Sequence, residues 1–146
     1  MATLFVGMRE RVDGDNHFIQ WAHSLVGLGN DVPDEIPWCS SWLCAIAFLC
    51  KLPNPKSAAA RRWLEIGIPI SLQEAEPGND VVILMRGGGD QPGPEVTRDA
   101  PGHVGLFAGY DPMRDQVEIL GGNQSDSVCI ARFPAERILG LRRLEA

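Results

Sequence analysis

The chain has 146 residues, a formal net charge of −6 and a hydrophobic content of 45%. This length predicts one domain, residues 1–146, with enough apolar residues for a core of its own. The 13 lysines and arginines form no dense run, which argues against a nucleic-acid partner. No stretch approaches the roughly 20 apolar residues of a membrane span. Residues 1–10 lack the basic start of a signal peptide, so we expect synthesis in the cytoplasm.

The first half of the chain predicts helices. The predicted ranges are residues 17–28, 39–51 and 57–67. Apolar residues recur in the first range at spacings of three and four, and Asp15 or Asn16 is suited to cap it. The second range is apolar on every side, which predicts a helix buried in the core. It begins at Cys39, directly after a polar loop that ends in Pro37.

From Pro69 onward the periodicity changes to that of strands. The predicted strands are residues 80–85, 103–110, 116–120, 127–133 and 138–144. Helices followed by consecutive antiparallel strands favour an α+β domain. Residues 86–101 join the first two strands as a glycine-rich loop. A loop of that length is usually functional or disordered, and we expect it to border a substrate cleft.

Cys39 is the candidate nucleophile, because it occupies the first turn of the predicted buried helix. Unpaired backbone N–H groups and the positive end of the helix dipole favour a thiolate there. His103 opens a strand and is the candidate general base. Asn123, on the neighbouring strand, is the candidate orienting group for the imidazole. Gln124 is the alternative, since asparagine after two glycines is also common in turns.

The other cysteines fit structural roles. Cys44 and Cys50 are predicted to be small buried residues, and Cys129 lies in a predicted strand. Their spacing matches no zinc or redox motif, and a chain of this size needs no disulfide framework.

No cofactor or metal is predicted. The segment 13–16 has part of the ligand pattern of a calcium loop, but no glutamate closes it. His17 and His23 lie six residues apart, on different sides of a helix, and are predicted to be surface residues.

Three short motifs occur in a fixed order: Pro37-Trp38-Cys39, Gly102-His103-Val104-Gly105 and Gly121-Gly122-Asn123-Gln124. With them the chain resembles the NlpC/P60 and CHAP superfamily of papain-like cysteine peptidases and amidases, which cleave bacterial cell-wall peptides. It looks most like the short phage- and prophage-associated group, over nearly its whole length. The resemblance implies N-terminal helices packed on a C-terminal antiparallel sheet of about five strands.

The resemblance also implies a function. It suggests a peptidoglycan hydrolase, either an endopeptidase or an N-acetylmuramoyl-L-alanine amidase, that uses Cys39, His103 and Asn123 and acts as a phage endolysin. Trp38, Gly102 and Gln124 are expected to contact the substrate. We expect a monomer that acts on the wall after release or delivery. The alternatives are a secreted antibacterial toxin with an immunity partner, and a catalytically silent binding module or related acyltransferase.

The chain departs from the family pattern at two positions. CHAP relatives often have a glutamate two residues before the asparagine, where this chain has Gly121. In papain-like relatives a glutamine that supplies an oxyanion donor often precedes the cysteine, and here Trp38 takes the adjacent position. The backbone N–H of Cys39 is therefore the one oxyanion donor that the sequence suggests.

Overall fold

The computed structural model describes residues 1–11, 15–29, 37–86 and 101–145. Helix α1 spans His17–Leu25, and helix α2 spans Cys39–Leu49. Asn16 caps α1, because its Oδ1 accepts hydrogen bonds from the backbone N–H groups of Phe18 and Ile19 at 2.9 and 3.3 Å. The predicted start of α2 at Cys39 is confirmed.

The third predicted helix differs in type. The structure has a 3-10 helix at Ala60–Glu65 instead of an α-helix. Ser57, whose residue type is suited to cap a helix, does not cap this one, because its hydroxyl accepts a hydrogen bond from the backbone N–H of Ala59, one residue before the helix begins. Further 3-10 turns lie at Ala2–Phe5, Leu72–Glu74 and Ala135–Arg137.

Within the described residues, the strands form one antiparallel sheet of six strands, so the predicted α+β class is confirmed. The strands are β1 (Ile68–Ile70), β2 (Asp80–Met85), β3 (Gly102–Asp111), β4 (Gln116–Gln124), β5 (Ser127–Pro134) and β6 (Ile138–Arg143). Their order across the sheet is β1-β6-β2-β3-β4-β5. Strand β1 was not predicted, because three residues are too few to show a period and Pro69 lies in its middle. Proline is tolerated there since β1 is an edge strand.

The core explains why β2 is apolar throughout. Val81 and Ile83 pack in one cluster with the aromatic and aliphatic side chains of α2. Val82 and Leu84 belong to a second cluster, because successive side chains of a strand point to opposite faces. Every residue of α2 from Cys39 to Ala47 is buried. The helix is therefore held firmly against the sheet.

An ion pair joins β2 to β6. The guanidinium of Arg143 donates to both carboxylate oxygens of Asp80, at 2.8 and 2.9 Å. Asp80 is fully buried, and the two residues are register partners in the sheet. A bidentate pair of this kind fixes the relative positions of the two strands.

Some predicted features fall outside the described residues. Residues 87–100 of the predicted cleft loop and residues 13–14 of the incomplete calcium loop belong to this group. Within the described ranges, no helix is both long enough and apolar enough to span a membrane.

Candidate active site

Three elements bring the candidate side chains together. Cys39 is the first residue of α2, His103 is the second residue of β3 and Gln124 is the last residue of β4. Helix α2 packs against both strands. All three side chains are nearly closed to solvent, with exposed fractions of 4, 4 and 5%. Their contacts are therefore made in a poorly hydrated environment, where electrostatic interactions are strong.

Hydrogen bonding to the side chain of His103 and to the backbone N–H of Val104 acts to lower the pKa of the Cys39 thiol. Helix α2 has no side-chain cap, so no capping oxygen occupies the N–H groups of its first turn. These donors and the helix dipole all favour negative charge at the sulfur.

The pair is electrostatically poised for proton transfer. Burial acts to raise the pKa of Cys39, but the hydrogen bond and the charge of His103, with the Val104 N–H, bring that pKa below its ordinary value of 9.0. Burial acts to lower the pKa of His103, but its bonds to Cys39 and Gln124 raise that pKa above its ordinary value of 6.5. The two shifts favour a thiolate beside an imidazolium.

Gln124 determines which nitrogen of His103 faces the sulfur. The Gln124 side-chain NH₂ donates to the backbone carbonyls of Ile119, at 3.2 Å, and Cys129, at 2.7 Å. Its Oε1 therefore faces Nε2 of His103, at 2.9 Å. Because an amide oxygen only accepts, Nε2 must carry a proton. Nδ1 is then the nitrogen left to exchange a proton with Cys39.

The predicted orienting residue was Asn123, and the structure places Gln124 there instead. Among the described residues, the side chain of Asn123 makes no hydrogen bond, although it lines the cavity beside His103. Extending the β3–β4 register beyond the pair Leu106–Leu120 would set Asn123 opposite His103. A regular strand would therefore have given the predicted arrangement.

A bulge in β4 changes this outcome. Between two ordinary register pairs, strand β4 has two residues, Gly122 and Asn123, whereas strand β5 has one residue, Val128. Asn123 has a φ of 56°, which breaks the extended geometry. One extra residue reverses the alternation of side chains that follow it, so Gln124 takes the position facing His103.

Gly121 provides space for the Gln124 amide. A Cβ atom at Gly121 would lie 2.8 Å from Oε1 of Gln124. Any larger side chain at this position would displace that oxygen from His103. Glycine at position 121 therefore allows the Gln124 amide to reach the imidazole.

Trp38 supports α2 and does not line either cavity beside the site. It is fully buried, and its Nε1 donates to the Glu10 carboxylate at 2.8 Å. A Cβ atom at Gly122 would lie 2.5 Å from the Trp38 ring, so the indole rests directly on the β4 backbone. The Trp38 ring is therefore enclosed, and its expected contact with the substrate stays a prediction.

Two cavities flank the Cys39–His103 pair. The one on the Cys39 side has a volume of about 180 Å³, and the one on the His103 side about 260 Å³. Gly102 lines the first cavity and Gln124 lines the second, while Arg86 borders both. The walls of the first cavity are mostly small, with Pro37, Ala58, Ala59, Ala60 and Pro101.

Arginines missed by the sequence analysis surround this site. Arg61 is buried, and its Nε donates to the carbonyl of Pro101 at 3.1 Å, which holds the start of β3. Arg132 and Arg137 line the cavity beside His103. They belong to no motif, and the pairing of distant strands alone brings them to the site. Sequence spacing carries no signal for such an arrangement.

Two predictions about histidine and cysteine burial are wrong. His23 is fully buried, with its Nδ1 2.9 Å from the Ser41 hydroxyl, because its side of α1 packs against α2. Cys50 is exposed, because α2 ends at Leu49 and its last turn projects from the core. Cys44 is buried as expected, and burial raises its pKa to about 11. All four cysteines are free thiols.

In the part of the chain that the structure describes, no group of three or more His, Cys, Asp or Glu side chains is placed to hold a metal ion. No protein-family model matches the chain, and no curated protein matches it either. Function is therefore inferred from the geometry of the site and from the motifs.

Proposed function

We propose that the protein is a peptidoglycan hydrolase of the papain-like NlpC/P60 and CHAP superfamily, and that it cleaves an amide bond of the cell-wall peptide. The observation that carries the proposal is the buried Cys39–His103 pair, with His103 oriented by Gln124. A nucleophile at the first residue of a buried helix and a base on an adjacent antiparallel strand agree with the fold that the motifs imply. The cell-wall substrate is drawn from the motifs.

The first step is acyl transfer to the sulfur. The Cys39 thiolate attacks the amide carbonyl, and the carbonyl electron pair moves to oxygen. The backbone N–H of Cys39, at the uncapped start of α2, is available to stabilise that oxyanion. One such donor contributes about 3 kcal/mol to the transition state. The C–N bond then breaks, and the proton on Nδ1 of His103 moves to the leaving amine.

The second step releases the acyl group. Neutral His103 takes a proton from water at Nδ1, and the oxygen of that water attacks the thioester carbonyl. The C–S bond breaks, the carboxylic acid leaves, and Cys39 returns as a thiolate beside the imidazolium. Gln124 accepts from Nε2 throughout, so the same nitrogen of His103 handles every proton.

The test is hydrolysis of purified peptidoglycan by the wild type and by Cys39→Ser. Wild type should release soluble fragments, and Cys39→Ser should release none, because a hydroxyl beside the same histidine is far more weakly acidic than a thiol. Cys50→Ser is the matched control, since Cys50 is exposed and outside the site, and it should be fully active. Circular dichroism should show all three proteins folded.

Release of no fragments by the wild type would contradict the proposal, as would equal rates for wild type and Cys39→Ser. Mass analysis of the fragments identifies the bond. An endopeptidase divides the peptide and leaves part of it attached to muramic acid, whereas an amidase removes the whole peptide and leaves a free carboxylate on muramic acid. A chain that binds the wall but never cuts it would be a binding module.

A further inference from the structure

The cavity beside His103 is positively charged in a chain whose net charge is −6. Arg86, Arg132 and Arg137 line it, and no aspartate or glutamate is among its described lining residues. A cleft lined by one sign of charge concentrates ligands of the opposite sign. The charge of this cavity therefore points to an anionic part of the substrate.

Arg137 is held in place without a carboxylate partner. Its Nε and Nη2 donate to the carbonyl of Met85 at 3.0 and 2.8 Å, and its guanidinium carbon lies 5.4 Å from the centroid of the Phe133 ring. Among the described residues, Arg137 forms no ion pair. A guanidinium has five N–H donors, so others remain for a ligand in the cavity.

The other two arginines contribute less specifically. Arg132 pairs with Glu118 at 3.1 Å, and half of its side chain is exposed, so its charge is partly neutralised. Arg86 borders both cavities, and its charge acts on both Cys39 and His103. Arg137 is therefore the cation that is held in one position and that lines the larger cavity but not the smaller one.

The chemistry of the reaction indicates which part of the substrate lies in this cavity. His103 must give its proton to the leaving amine, so the leaving fragment has to lie on the His103 side of the scissile bond. The acyl fragment then extends over Cys39 toward the small-walled cavity. The cationic cavity, with about 260 Å³, has room for an amino-acid residue that carries a charged group.

We propose that the cavity lined by Arg137, Phe133 and Arg132 is a carboxylate subsite, which selects substrates whose leaving fragment bears a carboxylate close to the scissile amide. Arg137 is its principal ligand. The subsite rests on the proposed function, because that function supplies the direction of the reaction. It names a substrate feature that the catalytic residues do not determine.

The test uses two substrates made from the fragment that the wall digest identifies. They share one acyl peptide and differ in the leaving residue. That residue carries a free carboxylate in one substrate and a carboxamide in the other. Wild type should prefer the carboxylate in kcat/KM by roughly 10-fold or more, as expected for a hydrogen bond to a charged group. Arg137→Gln should reduce this preference toward unity, with little change for the carboxamide.

Two further variants control for charge and folding. Arg114→Gln removes the same charge from an exposed turn and should keep the preference. Arg137→Lys keeps the charge but loses the planar fork, so its preference should be intermediate. If Arg137→Gln does not fold, Arg137→Lys still tests whether Arg137 determines the preference. An equal loss on both substrates, or an unchanged preference in both Arg137 variants, would overturn the subsite.

A binding measurement separates the subsite from the catalytic proposal. Alanine and alaninamide are titrated into folded Cys39→Ser, and NMR shifts of the Arg137 side chain are followed. Alanine alone should shift them, and Arg137→Gln should abolish the response at Phe133 as well. If wild type cleaves neither substrate, the proposed function fails and this titration still decides the subsite. Equal responses to both compounds, or none to either, would overturn it.

Discussion

Gln124 is the residue on which the orientation of His103 depends. Gln124→Ala removes the acceptor of Nε2 and leaves the carbonyls of Ile119 and Cys129 without their donor. We expect kcat to fall about 10- to 100-fold with little change in KM, because an orienting bond acts mainly on the transition state. Steady-state kinetics on a defined wall fragment measure both constants.

Asn123→Ala is the neighbouring control for this prediction. Asn123 makes no hydrogen bond within the described ranges, so kcat should remain within a few-fold of wild type. The variant should lose about 1 kcal/mol of stability, since Asn123 has a φ of 56° and alanine is strained in that region. If Asn123→Ala had a very low kcat and Gln124→Ala a nearly normal one, the residue that orients His103 would be Asn123 and not Gln124.

The shifted pKa values of Cys39 and His103 predict the pH profile of hydrolysis. The active ion pair needs Cys39 deprotonated and His103 protonated. The acid limb of kcat/KM should therefore follow the Cys39 pKa, which the His103 interaction brings below 9.0. The alkaline limb should follow the His103 pKa, which lies above 6.5. A rate that rises continuously with pH, with no alkaline limb, would contradict the ion pair.

The sequence was sufficient to predict that Cys39 and His103 meet, but not that Gln124 contacts the imidazole. The positions of Cys39 and His103 were predictable because each lies at the start of a regular element, where position along the chain determines position in space. Gln124 depends on one extra residue in β4, and the φ of 56° at Asn123 that accompanies it is a local backbone choice. Asparagine adopts that conformation readily but is not forced into it, so its presence alone could not predict the bulge.

At the scale of elements, the contact between α2 and β4 positions Cys39. The Trp38 ring rests on Gly122, where an added Cβ would come within 2.5 Å of it. Gly122→Ala must therefore move the indole, which is fully buried and adjacent to Cys39. We expect a loss of about 1–3 kcal/mol in stability from overpacking, together with a lower kcat.

Thermal melting and steady-state kinetics check the Gly122→Ala prediction together. Gly109→Ala is the comparison, because its nearest neighbour is the end of the flexible Glu118 side chain at 3.1 Å, and it should change kcat very little. An unchanged melting temperature and kcat in Gly122→Ala would mean that Trp38 moves freely and does not position Cys39.

At the scale of the whole molecule, the hydrophobic pattern predicted most of the architecture. In the described part of the chain, alternation and continuous apolar runs predicted five of the six strands and both α-helices, because each of these elements buries apolar side chains in the core. Strand β1 showed no hydrophobic pattern, and no pattern in the sequence indicated the arginines that line the cavity beside His103. They converge only when the end of β5 and the turn before β6 come close to His103, which is a long-range property of the fold.

The pH dependence of the alkylation rate of Cys39 tests the central claim most directly. A small iodoacetamide-type reagent is applied to the wild type and to His103→Ala, and mass analysis of peptides follows Cys39 separately from the other cysteines. In the wild type, Cys39 should react at pH values below 9.0, and hydrolysis should be lost as it is modified. In His103→Ala this reactivity should move to higher pH, because burial then acts without the histidine that opposes it. A Cys39 that reacts only near or above 9.0 in the wild type, or one whose profile is the same in His103→Ala, would contradict the account.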